Sequence, residues 1–347
     1  MRQLMFLLLV TACTSPVSSG SGPVGTDPGE GSGTGSGGSG SSSGGTAAIP
    51  DVRCTGAPDA GPAGAFIHTS SELVAASGSP NHRGIDLISP ASAATQTIEG
   101  DISYSTADKA LEDEDVDVVA CRESAWQKLG TARTDGEGHF ALALTGSARL
   151  PIGMRDMYVS VVGDRTGATF LALVAPDATK LLVSDVDGTL TPSENAFTDS
   201  LVGGADPGVQ PGAPGAYAVA AQKGYVVVYL TSRGSQFTAD TRSYLAAQGL
   251  VRGPLRLADS FVTLPGSSTT SFKTAAMQAF GQGLTLAAGV GNRQSDIDAY
   301  ASVGIAATRI FVKLPEFQSE VQASLDAHLA IGFSSYDDLK TQYIASF

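Results

Sequence analysis

The chain has 347 residues, a formal net charge of −13 and an apolar fraction of 42%. This length exceeds one average domain and the apolar fraction is ample for buried cores, so we expect two folded units with extensions. The acidic balance argues against a nucleic-acid partner, because such partners favour a basic surface.

The N-terminus is similar to a bacterial export signal. Arg2 precedes an apolar stretch over residues 4–10, which is shorter than the roughly 20 residues that span a bilayer. The tetrapeptide VTAC, which ends at Cys13, resembles the lipobox of bacterial lipoproteins and implies that Cys13 is lipidated. An ordinary signal peptide with a chance cysteine is the alternative. We expect residues 1–13 to direct an exported, membrane-anchored lipoprotein to the periplasmic or cell-surface side, with Thr14 favouring the outer membrane.

Residues 14–49 are predicted to form a flexible tether. Gly and Ser fill 21 of the 29 positions from 18 to 46, and a segment of this composition cannot bury a core. Gly-rich segments of this kind behave as flexible coils. The tether therefore separates the proposed anchor from the folded domains.

Residues 50–178 carry short apolar alternations separated by turn signals. The runs DVDVVA, HFALALTG, MYVSVVGD and TFLALVAP alternate with period two. This pattern predicts a small all-β, sandwich-like domain, to which we assign no chemistry. Its acidic run over residues 112–117 is interpreted as a solvated loop in preference to a cation site. Cys54 and Cys121 are compatible both with a disulfide and with two free thiols.

From residue 179 to 347 the pattern changes to apolar strands that alternate with helices. Strands are predicted at KLLVS, YVVVYL, LTLAAGV and RIFVKL, and helices at 216–222, at 237–247, from Ser271 and from Ser295. Such repeats imply right-handed crossovers and a mostly parallel, doubly wound α/β sheet with helices on both faces. Ligands bind at the carboxyl ends of the strands in such sheets.

Polar residues follow three of these predicted strands, and a lysine begins an intervening helix. Two carboxylates at one buried strand end would repel each other unless positive charge lies close to them. A divalent cation together with a lysine supplies that charge. Six residues are expected to converge at this edge: Asp185, Asp187, Thr231, Lys273, Asn292 and Asp296.

These residues follow the four motifs of the haloacid dehalogenase superfamily in order. The first motif is DVDGTLT at 185–191, Thr231 and Lys273 are the second and third, and residues 291–296 (GNRQSD) are the fourth. The phrases TADTRSYL and GNRQSDIDAY, within a match over most of residues 180–315, resemble the catalytic domain of the lipin family (Lipin/Ned1/Smp2 type) of Mg²⁺-dependent phosphatidate phosphatases. The resemblance implies a Rossmann-like sheet of the haloacid dehalogenase type and a phosphoric monoester hydrolase.

The resemblance also implies a role for each residue. Asp185 attacks phosphorus and forms an aspartyl-phosphate, and Asp187 protonates the leaving alcohol and then activates water. Thr231 and Lys273 hold the other phosphate oxygens. The implied Mg²⁺ ligands are Asp185, the backbone carbonyl of Asp187, Asn292 and Asp296.

The spacing of the motifs bears on the substrate. The intervals 188–223 and 233–273 are too short for a large cap domain, so we expect an open phosphate site. An open site on an anchored protein favours phosphatidate or a related lipid phosphate. Soluble phosphoesters outside the cytoplasm remain an alternative, as does a phosphatidate-binding module without turnover, which the two intact motif aspartates disfavour. Arg233 and Arg293 follow strand ends and are compatible with contacts to a phosphate or a membrane headgroup and, equally, with salt bridges at the rim of the sheet.

Overall fold

The structure is a computed structural model that describes residues 48–204, 206–259 and 266–347. These described residues all belong to one compact unit. The strands are β1 (Asp51–Val52), β2 (Arg83–Ile85), β3 (Leu87–Pro90), β4 (Thr95–Asp101), β5 (Ser103–Tyr104), β6 (Lys109–Ala110), β7 (Asp115–Arg122), β8 (Ala125–Arg133), β9 (His139–Thr145), β10 (Gly153–Val161), β11 (Gly167–Ala175), β12 (Lys180–Ser184), β13 (Val226–Gly234), β14 (Leu255–Ala258), β15 (Thr285–Gly291), β16 (Ile310–Lys313) and β17 (Ile331–Phe333). The helices are α1 (Thr69–Ala75), α2 (Ala196–Gly203), α3 (Ala213–Gln222), α4 (Thr238–Ala247), α5 (Ser267–Phe280), α6 (Gln294–Ser302), α7 (Gln318–Asp326) and α8 (Tyr336–Asp338).

The first part of the described chain is a β-sandwich, as its period-two pattern predicts. One sheet has the order β3-β11-β10-β7-β8, with β1 added beside β10, and the other has the order β2-β4-β9. Inward-facing residues of the two sheets, among them Ile98, Val118 and Phe140, share one core and are fully buried.

The second part is a parallel, doubly wound sheet, also as predicted. Its strands run in the order β14-β13-β12-β15-β16-β17, which is 3-2-1-4-5-6 in chain order. Along β12, Leu182 packs against the face that carries α3 and α4, whereas Leu181 and Val183 pack against the face that carries α5 and α6. The strand order reverses between β12 and β15, so a crevice is expected outside their carboxyl ends.

The sandwich and the α/β sheet are joined by a continuous core and by one buried carboxylate. Ile88 and Leu173 of the sandwich lie in the same apolar cluster as Leu181. Asp86, whose side chain is fully buried, accepts hydrogen bonds from the backbone N–H groups of Leu171 and Leu255, at 2.8 and 2.7 Å, and from the Arg242 guanidinium at 2.8 Å. All of its partners are thus supplied by the protein itself.

Cys54 and Cys121 form a disulfide, so the sequence alternative of two free thiols is not what the structure contains. The bond closes a separation of 67 residues and ties the segment after β1 to the end of β7. It therefore fixes the start of the described chain to the sandwich.

Most of the acidic side chains of residues 112–117 form hydrogen bonds and ion pairs within the sandwich. Glu114 is buried and accepts hydrogen bonds from the backbone N–H groups of Ile67 and His68, each at 2.9 Å. Asp113 pairs with Arg133 and with His68. Asp115 also pairs with Arg133. These contacts give the run a structural role. The prediction that the whole run is solvated is wrong for Glu114, which is buried.

Candidate active site

The predicted residues meet at the switch point of the parallel sheet. A cleft of about 70 Å³ opens outside the ends of β12 and β15, and five of the six predicted residues line it: Asp185, Asp187, Lys273, Asn292 and Asp296. The sixth, Thr231, is fully buried and donates a hydrogen bond to the Asp187 carboxylate at 3.1 Å. Sequentially distant side chains are therefore assembled here by the topology alone.

Asp185 is the first residue after β12 and is held almost completely buried. One of its carboxylate oxygens lies 2.6 Å from Lys273 Nζ, and the other accepts a hydrogen bond from Thr189 Oγ1 at 3.1 Å. Burial raises the pKa of Asp185, and the carboxylates of Asp296, Glu194 and Asp187 add to this effect, whereas Lys273 opposes it. The negative charge of the ionised Asp185 carboxylate is thus only partly balanced by the surrounding protein.

Lys273 bridges two carboxylates from the buried face of α5. Its Nζ atom lies 2.6 Å from Asp185 Oδ1 and 2.6 Å from Asp296 Oδ1. Burial disfavours the ammonium, but these two carboxylates outweigh it and raise the pKa of Lys273 above its ordinary value. Lys273 is therefore a permanent positive charge at the centre of the cleft.

Asp187 points towards β13, where an arginine binds both of its oxygens. Arg233 Nη2 lies 2.7 Å from Asp187 Oδ1, and Arg233 Nε lies 2.8 Å from Oδ2. The guanidinium also stacks 3.6 Å from the ring centroid of Phe197 and donates to Thr241 Oγ1 at 3.0 Å. The sequence left a phosphate contact and a salt bridge open for Arg233, and in the structure Arg233 forms a salt bridge with Asp187.

Asp296 and Asn292 are fixed by the turn that begins α6. Asp296 Oδ2 accepts hydrogen bonds from the backbone N–H groups of Asn292 and Arg293, at 3.0 and 3.1 Å. A side chain at Gly291 would place its Cβ 2.4 Å from Asp296 Cβ, and a Cβ at Gly188, where φ is +65°, would lie 2.0 Å from Asn292 Nδ2. The glycines of the first and fourth motifs are required by this close packing.

Glu194 is a site residue that sequence reasoning missed. It lines the cleft, accepts a hydrogen bond from Asn292 Nδ2 at 3.0 Å and lies 3.6 Å from Arg293. Burial raises the pKa of Glu194, although its hydrogen bond with Asn292 opposes the shift. Glu194 lies three residues beyond the DVDGTLT motif, in the part of the loop before α2 that carries no motif, so no sequence signal singled it out. Arg293 pairs with Glu194 and with Glu320, again the salt-bridge alternative.

The residues of the cleft fit a divalent cation. Asn292 Oδ1 is buried and makes no hydrogen bond to any residue that the structure describes. This oxygen lies among an excess of carboxylates, where a hard cation favours oxygen ligands. The described ranges contain no group of three or more His, Cys, Asp or Glu side chains in a metal-binding arrangement. A cation would therefore need the Asn292 oxygen and a backbone carbonyl in addition to Asp185 and Asp296.

The fold and the site define an α/β domain with an acidic, lysine-bridged cleft at its switch point, carried behind a β-sandwich. Two family models match the chain in the same order. The model described as PITM 1-3, beta-sandwich domain, matches residues 80–174, and the model described as PITM 1-3, LNS2 domain, matches residues 182–313.

Known relatives agree with these models. The chain is 28% identical over 260 residues to membrane-associated phosphatidylinositol transfer protein 3 of Mus musculus, and 27% identical over 260 residues to the retinal degeneration B protein of Drosophila melanogaster. Each match covers 72% of this chain but only 26% and 20% of the relative, respectively. The chain thus spans about a quarter or less of the length of these curated relatives.

Solved structures that resemble the chain include two phosphatases. One is the deoxy-D-mannose-octulosonate 8-phosphate phosphatase of Haemophilus influenzae, with 16% identity, a TM-score of 0.33 and coverage of 49% of this chain and 90% of that chain. The other is a phosphoserine phosphatase, with 14% identity, a TM-score of 0.31 and coverage of 47% and 98%. Because these scores are low, the fold class here rests on the strand order itself.

The comparisons correct the predicted family and location. The prediction of a lipin-type enzyme is wrong, since the matching models and relatives are those of animal membrane-associated phosphatidylinositol transfer proteins. The prediction of an exported bacterial lipoprotein, with its signal peptide and outer-membrane location, is wrong for the same reason. Cys13, its proposed lipidation site, lies outside the described residues. No helix in the described part of the chain is long and apolar enough to cross a bilayer.

Proposed function

We propose that the α/β domain hydrolyses a phosphate monoester of a phospholipid, with Asp185 as the nucleophile. The observation that carries this proposal is the buried Asp185 carboxylate, bridged to Asp296 by Lys273 at 2.6 Å on each side of the ammonium. A carboxylate held in this way is pre-positioned, so little reorganisation is needed before attack on phosphorus.

The reaction would proceed in two displacements. In the first, an Asp185 oxygen bonds to phosphorus while the bond to the leaving alcohol breaks, and Asp187 gives that alcohol its proton. In the second, water attacks the aspartyl-phosphate, and Asp187 takes up the proton. Phosphate is released and both carboxyl groups return to their starting forms. Lys273 and Thr231 would hold the other phosphate oxygens.

Mg²⁺ is the cation that this site would take, held by Asp185, the backbone carbonyl of Asp187, Asn292 and Asp296. When bound, it would neutralise charge on the transferring phosphoryl group. Asn292 Oδ1, which is buried without a hydrogen-bond partner in the described residues, supports its place in this set.

A lipid phosphate is favoured as the substrate because the relatives are named as phosphatidylinositol transfer proteins and therefore handle phospholipids. The intervals flanking the site contain only α2 and α3 on one side, and α4, β14 and α5 on the other, within the described residues. Such a site lacks a large cap and would admit a membrane-held phosphate. Soluble phosphoesters are the competing substrates that the same chemistry would accept.

A second candidate function is phospholipid binding without turnover. The observation that favours it is the two-point contact of Arg233 with Asp187, at 2.7 and 2.8 Å. Proton donation by Asp187 requires that this contact be exchanged for the leaving alcohol. If the contact is permanent, the cleft would hold a phosphate group and not cleave its ester.

The test is phosphate release by the full chain with and without Mg²⁺. The substrates are phosphatidate in mixed micelles and p-nitrophenyl phosphate, and Asp185→Asn is the control variant. Mg²⁺-dependent release that is faster on the lipid and lost in the variant supports the proposal. Faster release from the soluble ester moves the substrate to soluble phosphoesters. Binding of phosphatidate vesicles without release supports the second function and contradicts the first.

A further inference from the structure

A second cavity adjoins the cleft and differs from it in chemistry. It is a groove of about 570 Å³ between the first turns of α5 and α6, and we call it the hydroxyl groove. It shares Arg293 and Ser295 with the cleft, so the two form one continuous depression. A phosphate ester bound at Asp185 would have this groove available for its alcohol part.

The side chains of the hydroxyl groove carry alcohols, an amide and charged groups, with no aliphatic or aromatic residue among them. In the described part of the chain, the hydroxyls of Ser267, Ser271 and Ser295 make no side-chain hydrogen bond. The carboxylates of Asp298 and Glu320 also line the groove. These groups offer donors and acceptors together, which is the requirement for binding a molecule that has several hydroxyls of its own.

The groove is set directly against the reacting centre. Thr270 lines it and lies three residues before Lys273 on α5, so the two side chains share one face of the helix. The Thr270 hydroxyl lies 3.4 Å from the backbone carbonyl of Ser295, one residue before Asp296. A ligand in the groove would therefore contact Thr270, one helical turn from Lys273, and Ser295, which adjoins Asp296 in the chain.

Another cavity lies at the seam between the sandwich and the α/β sheet. Its volume is about 350 Å³, and its lining combines apolar side chains, among them Phe170 and Leu245, with charged ones, among them Arg252 and Asp156. It shares no lining residue with the cleft, so a group bound there would not belong to a substrate at Asp185. The hydroxyl groove, and not this cavity, adjoins the phosphate position.

We infer that the hydroxyl groove binds a polyhydroxylated alcohol that carries the scissile phosphate. This inference rests on the proposed function and narrows it. The phosphate would be separated from any acyl chains by a hydrophilic ring or polyol, unlike the phosphate of phosphatidate. The Asp298 carboxylate, whose Oδ1 accepts a hydrogen bond from Gln294 Nε2 at 2.8 Å, would accept one from a free hydroxyl of the ligand through its other oxygen. Both oxygens of Glu320 are already bonded to Arg293, so Glu320 forms part of the groove wall.

The test compares two ring esters that differ only in their hydroxyls, myo-inositol 1-phosphate and cyclohexyl phosphate, on the full chain with Mg²⁺. We expect kcat/KM to be about tenfold or more higher for the inositol ester, the effect of one or two hydrogen bonds. Combined Ser267→Ala and Thr270→Val should lower this preference about tenfold. The matched control is Thr274→Val, one turn further along α5, whose hydroxyl pairs with Ser302 at 2.9 Å.

Equal kcat/KM for the two ring esters, or the same behaviour of the groove variant and Thr274→Val, would overturn the inference. If the wild type hydrolyses neither phosphatidate nor either ring ester faster than Asp185→Asn does, the proposed function has failed. In that case, calorimetric titration measures how tightly the full chain binds the same two esters. Tighter binding of the inositol ester that is lost with Ser267→Ala and Thr270→Val supports the groove, and equal binding contradicts it.

Discussion

Two buried aspartates illustrate how the seam and the cleft of this molecule differ. Asp86 at the seam has two backbone N–H groups and one guanidinium around it, all contributed by the fold. Asp185 in the cleft has one lysine and one hydroxyl, with three other carboxylates close enough to raise its pKa further. Burial of a carboxylate is therefore not itself a sign of function. A buried carboxylate whose negative charge is not balanced by neighbouring protein groups is the one that predicts a bound ligand.

The largest expected effect is on catalysis at Asp185. Asp185→Asn should lower Mg²⁺-dependent phosphate release by at least about 10⁴-fold, because the amide cannot form the covalent intermediate. The free energy of unfolding should change by no more than about 1 kcal/mol, since the substitution also relieves repulsion among the carboxylates. Urea unfolding beside the activity assay measures both. A large loss of stability would show instead that Asp185 is structural.

The disulfide should have the next largest effect, and it acts on the sandwich side of the comparison. Replacing both Cys54 and Cys121 by Ser should lower the free energy of unfolding by about 4 kcal/mol, from the chain entropy of a loop of this length. Thermal unfolding of the variant and of the wild type under non-reducing conditions measures the difference. An unchanged midpoint would mean that the bond does not constrain the unfolded chain.

Asp86→Asn should lower stability and retain activity, the reverse of Asp185→Asn. Removal of the buried charge leaves the partly buried Arg242 guanidinium against an uncharged amide, so the free energy of unfolding should fall by about 3 kcal/mol. Phosphate release measured well below the unfolding midpoint should be retained. Asp326→Asn, at an exposed acid on α7, is the control and should leave both quantities unchanged. If Asp86→Asn instead lost activity and kept its stability, Asp86 would not be the structural counterpart of Asp185.

A buried histidine of the sandwich extends the comparison to pH. Burial lowers the pKa of His82 to about 4, so the folded state keeps the neutral ring. The unfolded chain takes up a proton near pH 6.5, so the stabilisation is complete above that pH and is lost as the pH falls towards 4. The loss is at most about 3 kcal/mol.

Urea unfolding between pH 7 and pH 4 measures this effect. The slope of stability against pH should be shallower in His82→Gln than in the wild type. His328→Gln, which changes an exposed histidine, should keep the wild-type slope. Identical slopes in all three proteins would contradict the role of His82.

The parallel sheet was predictable because its strands are continuous apolar runs. KLLVS corresponds to β12 from Lys180 to Ser184, and the helix predicted at 237–247 is α4 within one residue. β8 escaped prediction, since its run AWQKLGTAR is largely exposed and its burial does not alternate strictly. Pattern reasoning detects burial, so a strand that buries little leaves a weak signal.

Five of the six predicted residues were placed at strand ends and the sixth, Lys273, at the start of a helix, whereas the side chains that pair with them were not predictable. Parallel topology brings strand ends together, and this alone united Asp185 with Asp296. Glu194 lies in a loop, and the contact between Arg233 and Asp187 depends on side-chain directions that sequence spacing does not fix. The short motifs are typical of phosphoryl chemistry but do not distinguish one family from another, which is why the predicted lipin-type assignment was wrong.

The most direct test of the central claim is the detection of a phosphoryl group on Asp185. The wild-type chain is mixed with Mg²⁺ and a substrate labelled at phosphorus, quenched in acid within milliseconds, and digested for mass spectrometry, with Asp185→Asn treated in parallel. We expect an alkali-labile phosphoryl group on the peptide that contains Asp185, absent from the variant. Phosphate release without any such label, or release that persists in Asp185→Asn, would contradict nucleophilic attack by Asp185.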